Sequence, residues 1–169
     1  MESFAALTDV DSVVSILARI SIFGGATESQ QQEIFQRLET GVFKKGEYVF
    51  QKGDEPSHIY IVKSGSIELL IPDNNVVIPK KKLGVGECFG QVALMSMQKH
   101  VVSAVAHEDT EIIVLSRKAL RQLRHEDIEL FALLIMNIAR ELARRLKFTD
   151  EMLLQNVHAQ EPDKFEDHF

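Results

Sequence analysis

The chain has 169 residues, 45% hydrophobic and 26% charged, with 4 Pro and 9 Gly, a size and composition that fit one ordinary globular domain and exclude a disordered or fibrous protein. The net charge of -6 argues against a dedicated nucleic-acid binder, whose affinity rests on several phosphate-neutralising cations, so no specific DNA binding is expected. One cysteine, Cys88, allows neither an intramolecular disulfide nor a paired-cysteine zinc site, and a reducing, cytoplasmic setting is the expectation.

Residues 1–40 read as a helical segment. Their acidic start, with Glu2, Asp9 and Asp11, lacks the basic region and apolar run of a secretory leader. Two helices are predicted, Asp11 to Leu17 and Glu28 to Leu38, the second carrying Ile34, Phe35 and Leu38 at helical spacing behind a Thr27 N-cap. Residues 41–116 change to short β-rich segments cut by glycines: Tyr48 to Gln51, His58 to Val62, Ser66 to Ile71, Val76 to Ile78, His100 to Ala106 and Glu111 to Leu115. This spacing predicts an antiparallel sandwich or roll. Lys80, Lys81 and Lys82 read as an exposed hairpin turn. Residues 117–156 return to helical spacing with a break between Arg124 and Asp127. Their apolar stretch from Leu130 to Ala139 is well short of the roughly 20 residues a membrane-spanning helix requires, so no membrane span is expected. Between Arg117 and Lys147 basic residues outnumber acidic ones, which reads as a solvated helix face. Residues 157–169 form an acidic tail, expected to be disordered.

The hairpin series Lys44-Lys45-Gly46-Glu47, Gly53-Asp54 and His58-Ile59-Tyr60-Ile61-Val62-Lys63-Ser64-Gly65-Ser66-Ile67 resembles the opening of the cyclic nucleotide-binding domain family. The resemblance runs roughly from Ile22 to Leu154 and implies a mainly β fold with flanking helices: a double-stranded β-roll (jelly roll), N-terminal helices and a long C-terminal helix. The stretch Gly86-Glu87-Cys88-Phe89-Gly90-Gln91-Val92-Ala93-Leu94 through His100-Val101-Val102-Ser103-Ala104 is similar to the family's phosphate-binding cassette, spanning residues 86–104. There, glycines let the backbone approach a phosphate, and a short helix beginning near Gln91 aims N–H groups at the anion. The resemblance implies Phe89, Gly90, Gln91, Val92, Ala93, His100, Val101 and Val102 as ligand-binding residues, with cyclic AMP the first candidate and cyclic GMP the second.

Two positions depart from the family. Gln91 stands where the family has a Glu that accepts from the ribose 2′-hydroxyl, and His100 where it has an Arg that pairs with the cyclic phosphate. A charged hydrogen bond contributes about 1.5–3 kcal/mol against about 0.5–1.5 for a neutral one. Together the two changes cost about 2–4 kcal/mol, or about 30-fold to 1000-fold in affinity.

The predicted helix over residues 127–155 carries Phe131, Ile135, Ile138, Leu142, Thr149 and Met152 along a seam, which points to a homodimer through paired helices. The segment Ala143 to Glu151 looks like the dimerising helix of bacterial catabolite activators, where a Thr-Ser pair touches the adenine. Thr149 matches the Thr and joins the expected ligand residues; Asp150 replaces the Ser. No motif for nucleophilic, phosphoryl-transfer or metal-dependent catalysis is present, and His100 and His107, an odd number apart on a predicted strand, point to opposite faces. Neither an enzyme nor a metal site is expected. The reading is a regulatory sensor module that binds cyclic AMP or a related nucleotide weakly or with altered specificity and signals to an unknown effector protein. The alternative is a degenerate member that keeps the fold only for dimerisation or protein contact.

Overall fold

The computed structural model describes residues 4–73 and 76–160. In chain order the elements are β1 (Ala5–Ala6), α1 (Val10–Val14), two 3-10 turns at Leu17–Arg19 and Ser21–Phe23, α2 (Glu28–Phe35), β2 (Leu38–Phe43), β3 (Tyr48–Phe50), β4 (His58–Ser64), β5 (Ile67–Asp73), β6 (Val76–Leu83), β7 (Cys88–Phe89), α3 (Gln91–Ser96), β8 (Ser103–Ala106), β9 (Thr110–Ser116), α4 (Arg117–Glu126) and α5 (Ile128–Gln160). Two antiparallel sheets form, ordered β1-β2-β9-β4-β7 and β3-β8-β5-β6.

The central strands β4 and β9 are apolar at almost every position because the sheet they share is covered on both faces. Their register pairs Ile59 with Leu115 and Ile61 with Ile113, and between these pairs Tyr60 with Val114 and Val62 with Ile112. Alternation sends the first set to one side of the sheet and the second to the other. Ile59, Ile61, Ile113 and Leu115 join a core built with the helices, including Ile22, Phe35, Leu123, Leu130, Leu134 and Ile138. Tyr60, Val62, Ile112 and Val114 join a second core between the sheets, with Phe50, Ile67, Leu83, Phe89 and Ala104. The β4–β5 turn requires Gly65: its φ is 78°, and a Cβ there would lie 2.5 Å from the Asp109 carbonyl oxygen. The Thr110 hydroxyl closes this corner by accepting from Ser66 N–H and donating to the Ser66 carbonyl.

Several boundaries differ from expectation. The first helix is split into α1 and a 3-10 turn. α2 has the expected capping box, Thr27 with Gln30, but stops at Phe35, and Leu38 opens β2 instead of closing a helix. That strand survives a polar centre because it pairs with β1 and β9. Lys80, Lys81 and Lys82 lie within β6, not in a turn, with Lys82 opposite Glu68. β8 begins at Ser103, so His100 precedes the strand. The helical break falls at Asp127, whose side chain accepts from Leu130 N–H. α5 continues to Gln160, past the expected end at Gln155, so residues 157–160 of the expected tail are helical; the remainder lies outside the described residues.

α5 has 33 residues, about 50 Å of helix. Its first half docks through Leu130, Leu134 and Ile138, all fully buried. Beyond them the docked face turns polar. Asn137 donates to the carbonyls of Ile22 (3.1 Å) and Gly24 (2.8 Å). Glu141 accepts from Ser21 and from Arg145, and Arg145 also donates to the Cys88 carbonyl at 2.5 Å. Ile138 is therefore a core residue and does not belong to a free seam, a correction to the expected pattern. Phe131, Ile135 and Leu142 pack partly against the same core.

Candidate functional site

The cassette begins where β7 pairs with β4, Phe89 opposite Tyr60 and Cys88 opposite Ile61. Gly90 then turns the chain at φ 81°, and a Cβ at this point would meet the Tyr60 ring at 2.6 Å, so only glycine lets the backbone pass. α3 starts at Gln91 as expected. Its first backbone N–H groups precede any intrahelical acceptor, and Leu94 N–H closes the first turn onto the Gly90 carbonyl at 3.2 Å. The helix ends on Met97, which holds a left-handed φ of 54°, a conformation that costs a non-glycine residue roughly 1–2 kcal/mol. Two left-handed residues thus bound a helix of six.

His100 is fixed from both sides of its backbone: its N–H donates to the Asp54 carbonyl at 3.0 Å, and its carbonyl accepts from Gly53 N–H at 2.8 Å. Its ring stacks on Phe50 with centroids 3.7 Å apart and 17° between planes. Phe50 in turn contacts Tyr60 and Phe89, so the cassette histidine continues the aromatic interior of the roll. Burial lowers the His100 pKa below its ordinary value of 6.5, against the opposing pull of the Asp54 charge. Burial thus favours the neutral imidazole over the cation.

Gln91 is fully buried and His100 is 4% exposed. Neither Gln91 Oε1 nor Gln91 Nε2 nor His100 Nε2 has a hydrogen-bond partner among the described residues. A buried polar atom without a partner costs about 1–3 kcal/mol, and native structures concentrate this cost at sites that meet a ligand or a bound solvent molecule. These three atoms lie on Gln91 and His100, the two positions that the sequence singled out as departures from the pattern it resembles.

The structure brings together Phe89, Gly90, Gln91, Ala93 and His100. Phe89 and Ala93 are buried; Val102 packs partly against the inter-sheet core. Val92 and Val101 turn their side chains to solvent, 56% and 64% exposed, leaving them only backbone groups to offer. Thr149 is exposed, and its hydroxyl donates to its own helix at the Arg145 carbonyl. Among the described residues no hydrogen bond joins it to the cassette. Phe50 and Asp54, which set the ring and backbone of His100, were visible in the sequence only as part of a turn motif. Arg145, which ties α5 to the strand just before Gly90, carried no signal beyond its place in a basic helix.

Other chemistry finds little support in the geometry. Burial pushes the Cys88 thiol up to about 12, so it is a core side chain and not a nucleophile. His107 lies 3.7 Å from Glu68 on the surface. Among the described residues no three His, Cys, Asp or Glu side chains converge on a metal position, and no helix is long and apolar enough to cross a membrane.

The model of the cyclic nucleotide-binding domain matches residues 40–127, more than half of the chain. The chain is 28% identical over 109 residues to the cAMP-dependent protein kinase regulatory subunit of Eremothecium gossypii, an overlap of 64% of this chain and 23% of that protein. It therefore spans only about a quarter of that curated relative. The structure superposes on the catabolite activator protein of Thermus thermophilus with a TM-score of 0.71 and 29% identity, covering 81% of this chain and 63% of that one. A cyclic nucleotide-binding domain from Methylobacillus flagellatus superposes at 0.79 over 92% of this chain and 88% of that one, and at 18% identity it speaks for the fold alone. With its β-roll, its Gly90 turn into α3 and its long C-terminal helix, the chain belongs to the cyclic nucleotide-binding domain family.

Proposed function

We propose that the chain is a regulatory sensor module that reads a cyclic nucleotide or a related nucleotide in the cassette, with affinity weakened by Gln91 and His100. The observation that carries the reading is the set of three unpartnered buried atoms, Gln91 Oε1, Gln91 Nε2 and His100 Nε2, at the positions that hold ribose and phosphate in the family pattern. Gln91 retains an acceptor for a ribose hydroxyl. His100 offers a ring nitrogen that becomes cationic when an anion approaches. Cyclic AMP is the first candidate and cyclic GMP the second.

Two copies pair through α5. The residues Ile128, Ala132, Ile135, Ala139, Leu142, Leu146, Thr149 and Leu153 recur four and three apart, the interval of a two-stranded coiled coil. Leu146 and Leu153 are each 63% exposed. In this reading Thr149 lies in the seam between two helices, and an effector protein senses the paired helices.

The test is calorimetric titration of the protein with cyclic AMP and cyclic GMP near pH 7.5 and again near pH 6. Binding of a phosphate anion raises the His100 pKa from its lowered value in the free protein, so complex formation takes up a proton and affinity grows as pH falls. The double substitution Gln91→Glu with His100→Arg tightens binding by about 2–4 kcal/mol. A double variant that binds nothing, together with a wild type that shows no pH-dependent affinity, supports the second reading, a closed cassette in a fold retained for dimerisation or protein contact. What favours that reading is the His100 stack on Phe50 and the complete burial of Gln91.

A further inference from the structure

Four cations follow one another along α4, Arg117, Lys118, Arg121 and Arg124, and among the described residues none of them has a carboxylate within 4 Å; the one acid of the helix, Glu126, pairs with Arg37. Arg117 and Arg121 stand four apart and Lys118 and Arg121 three apart, which makes them neighbours on the helix surface, and like charges at these intervals repel. Arg117 and Lys118 also occupy a first turn that holds no acid, the end of a helix where positive charge is disfavoured. The free fold therefore concentrates two unfavourable electrostatic arrangements at one place.

The first three of these cations line a cleft of about 470 Å³ together with Pro56, Ser57, His58 and Ser116. The ends of β4 and β9 hold its shape. Ser116 lies opposite His58 in the ladder, Arg117 N–H donates to the Ser57 carbonyl at 2.8 Å, and the Arg117 guanidinium donates to the Pro56 carbonyl. The Ser57 hydroxyl is exposed and 2.8 Å from His58 Nδ1. Lys118 N–H, second in the helix, has no intrahelical acceptor. No carboxylate lines the cleft; Glu39 reaches only the far nitrogen of His58, Nε2, at 4.0 Å.

A small anion with several oxygens answers these features together. It offsets the three positive charges, accepts from the Lys118 side chain and from the Arg121 fork, which suits phosphate oxygens, and receives the Ser57 hydroxyl. The cleft's volume suits a small molecule. Pro56, its one apolar side chain, is buried, so the cleft offers nothing to insert into a lipid surface. We infer that this cleft binds a soluble phosphate monoester through Lys118, Arg121 and Ser57, with Arg117 fixing the wall between the strands and α4. The site shares no residue with the cassette and stands independent of the sensor reading.

The experiment is an NMR titration of the whole chain with inorganic phosphate and with glycerol phosphate, at an ionic strength held constant with chloride so that general screening does not change. The amide resonances of Ser57, Arg117 and Lys118 shift together and saturate. Lys118→Ala with Arg121→Ala weakens this binding about tenfold or more, because charge-assisted hydrogen bonds are lost, and it keeps or raises the midpoint of urea unfolding, because like charges are relieved. Lys80→Ala with Lys82→Ala removes the same amount of charge from β6 and leaves phosphate binding unchanged. Shifts that are absent or never saturate overturn the inference, as does equal weakening by the two double variants. Association with phosphatidic acid vesicles by a chain that binds neither soluble phosphate overturns it as well.

Discussion

Exchanging a charged pair for a neutral one at two buried positions bears on stability as well as on affinity, because the atoms proposed to meet a ligand are unpartnered in the free fold. Gln91 is the clearer case. With both amide atoms unpartnered, its replacement by the similarly sized, apolar Met relieves about 1–3 kcal/mol, so Gln91→Met raises the midpoint of urea unfolding while removing ligand response. A lowered midpoint contradicts the absence of partners. His100 and His58 both have pKa values lowered below 6.5, chiefly by burial, with Asp54 and Glu39 respectively pulling the other way. The unfolded chain therefore binds more protons than the folded one between the lowered values and 6.5. Stability rises with pH across that window and declines as pH falls through it. Urea unfolding near pH 5.5 shows a lower midpoint than near pH 7.5, and His100→Phe reduces the difference; equal midpoints at the two pH values rule this linkage out. The sequence revealed which two residues depart from the family, since departure is a matter of identity. It could not reveal that they are buried without partners, because the setting of His100 depends on Phe50 and Asp54 arriving from another turn.

At the scale of elements, α5 illustrates how an apolar count misleads when the docked face is partly polar. Ile138 entered the expected seam by spacing, yet it is fully buried in the core. The docked face continues through Asn137, Glu141 and Arg145, which satisfy backbone carbonyls and Ser21. In the proposed dimer the seam runs through the exposed Leu146 and Leu153, with Leu142 shared between the seam and the core. Two outcomes separate these roles. Leu142→Glu with Leu146→Glu yields a folded monomer by sedimentation, whereas Ile138→Glu buries a charge and unfolds the domain. A wild-type monomer at tens of micromolar contradicts the dimer. The strands show the opposite situation: β4 and β9 were legible because two-sided burial made them continuously apolar, while β2, with Glu39, Thr40 and Gly41 at its centre, and the two-residue β7 gave too little pattern to read.

For the molecule as a whole, one two-sided sheet divides the protein into a helix-backed core and an inter-sheet core. The cassette sits where they meet, with Leu94 in the first and Phe89 in the second. Arg145 connects that junction to α5 through the Cys88 carbonyl, a physical route from cassette to helix. The roll and its end helices were readable from glycine turns and motif spacing; the Lys99–Glu55 pair and the bond from Arg145 to the Cys88 carbonyl were not, since they join segments distant in sequence. The account's central claim is that Gln91 and His100 meet a ligand. Its most direct measurement is an NMR titration following the Gln91 side-chain amide and the His100 ring during addition of millimolar cyclic AMP or cyclic GMP. The account predicts that at least one of these shifts both sets of resonances together, ahead of those on α4; saturating additions that leave both unmoved would contradict it.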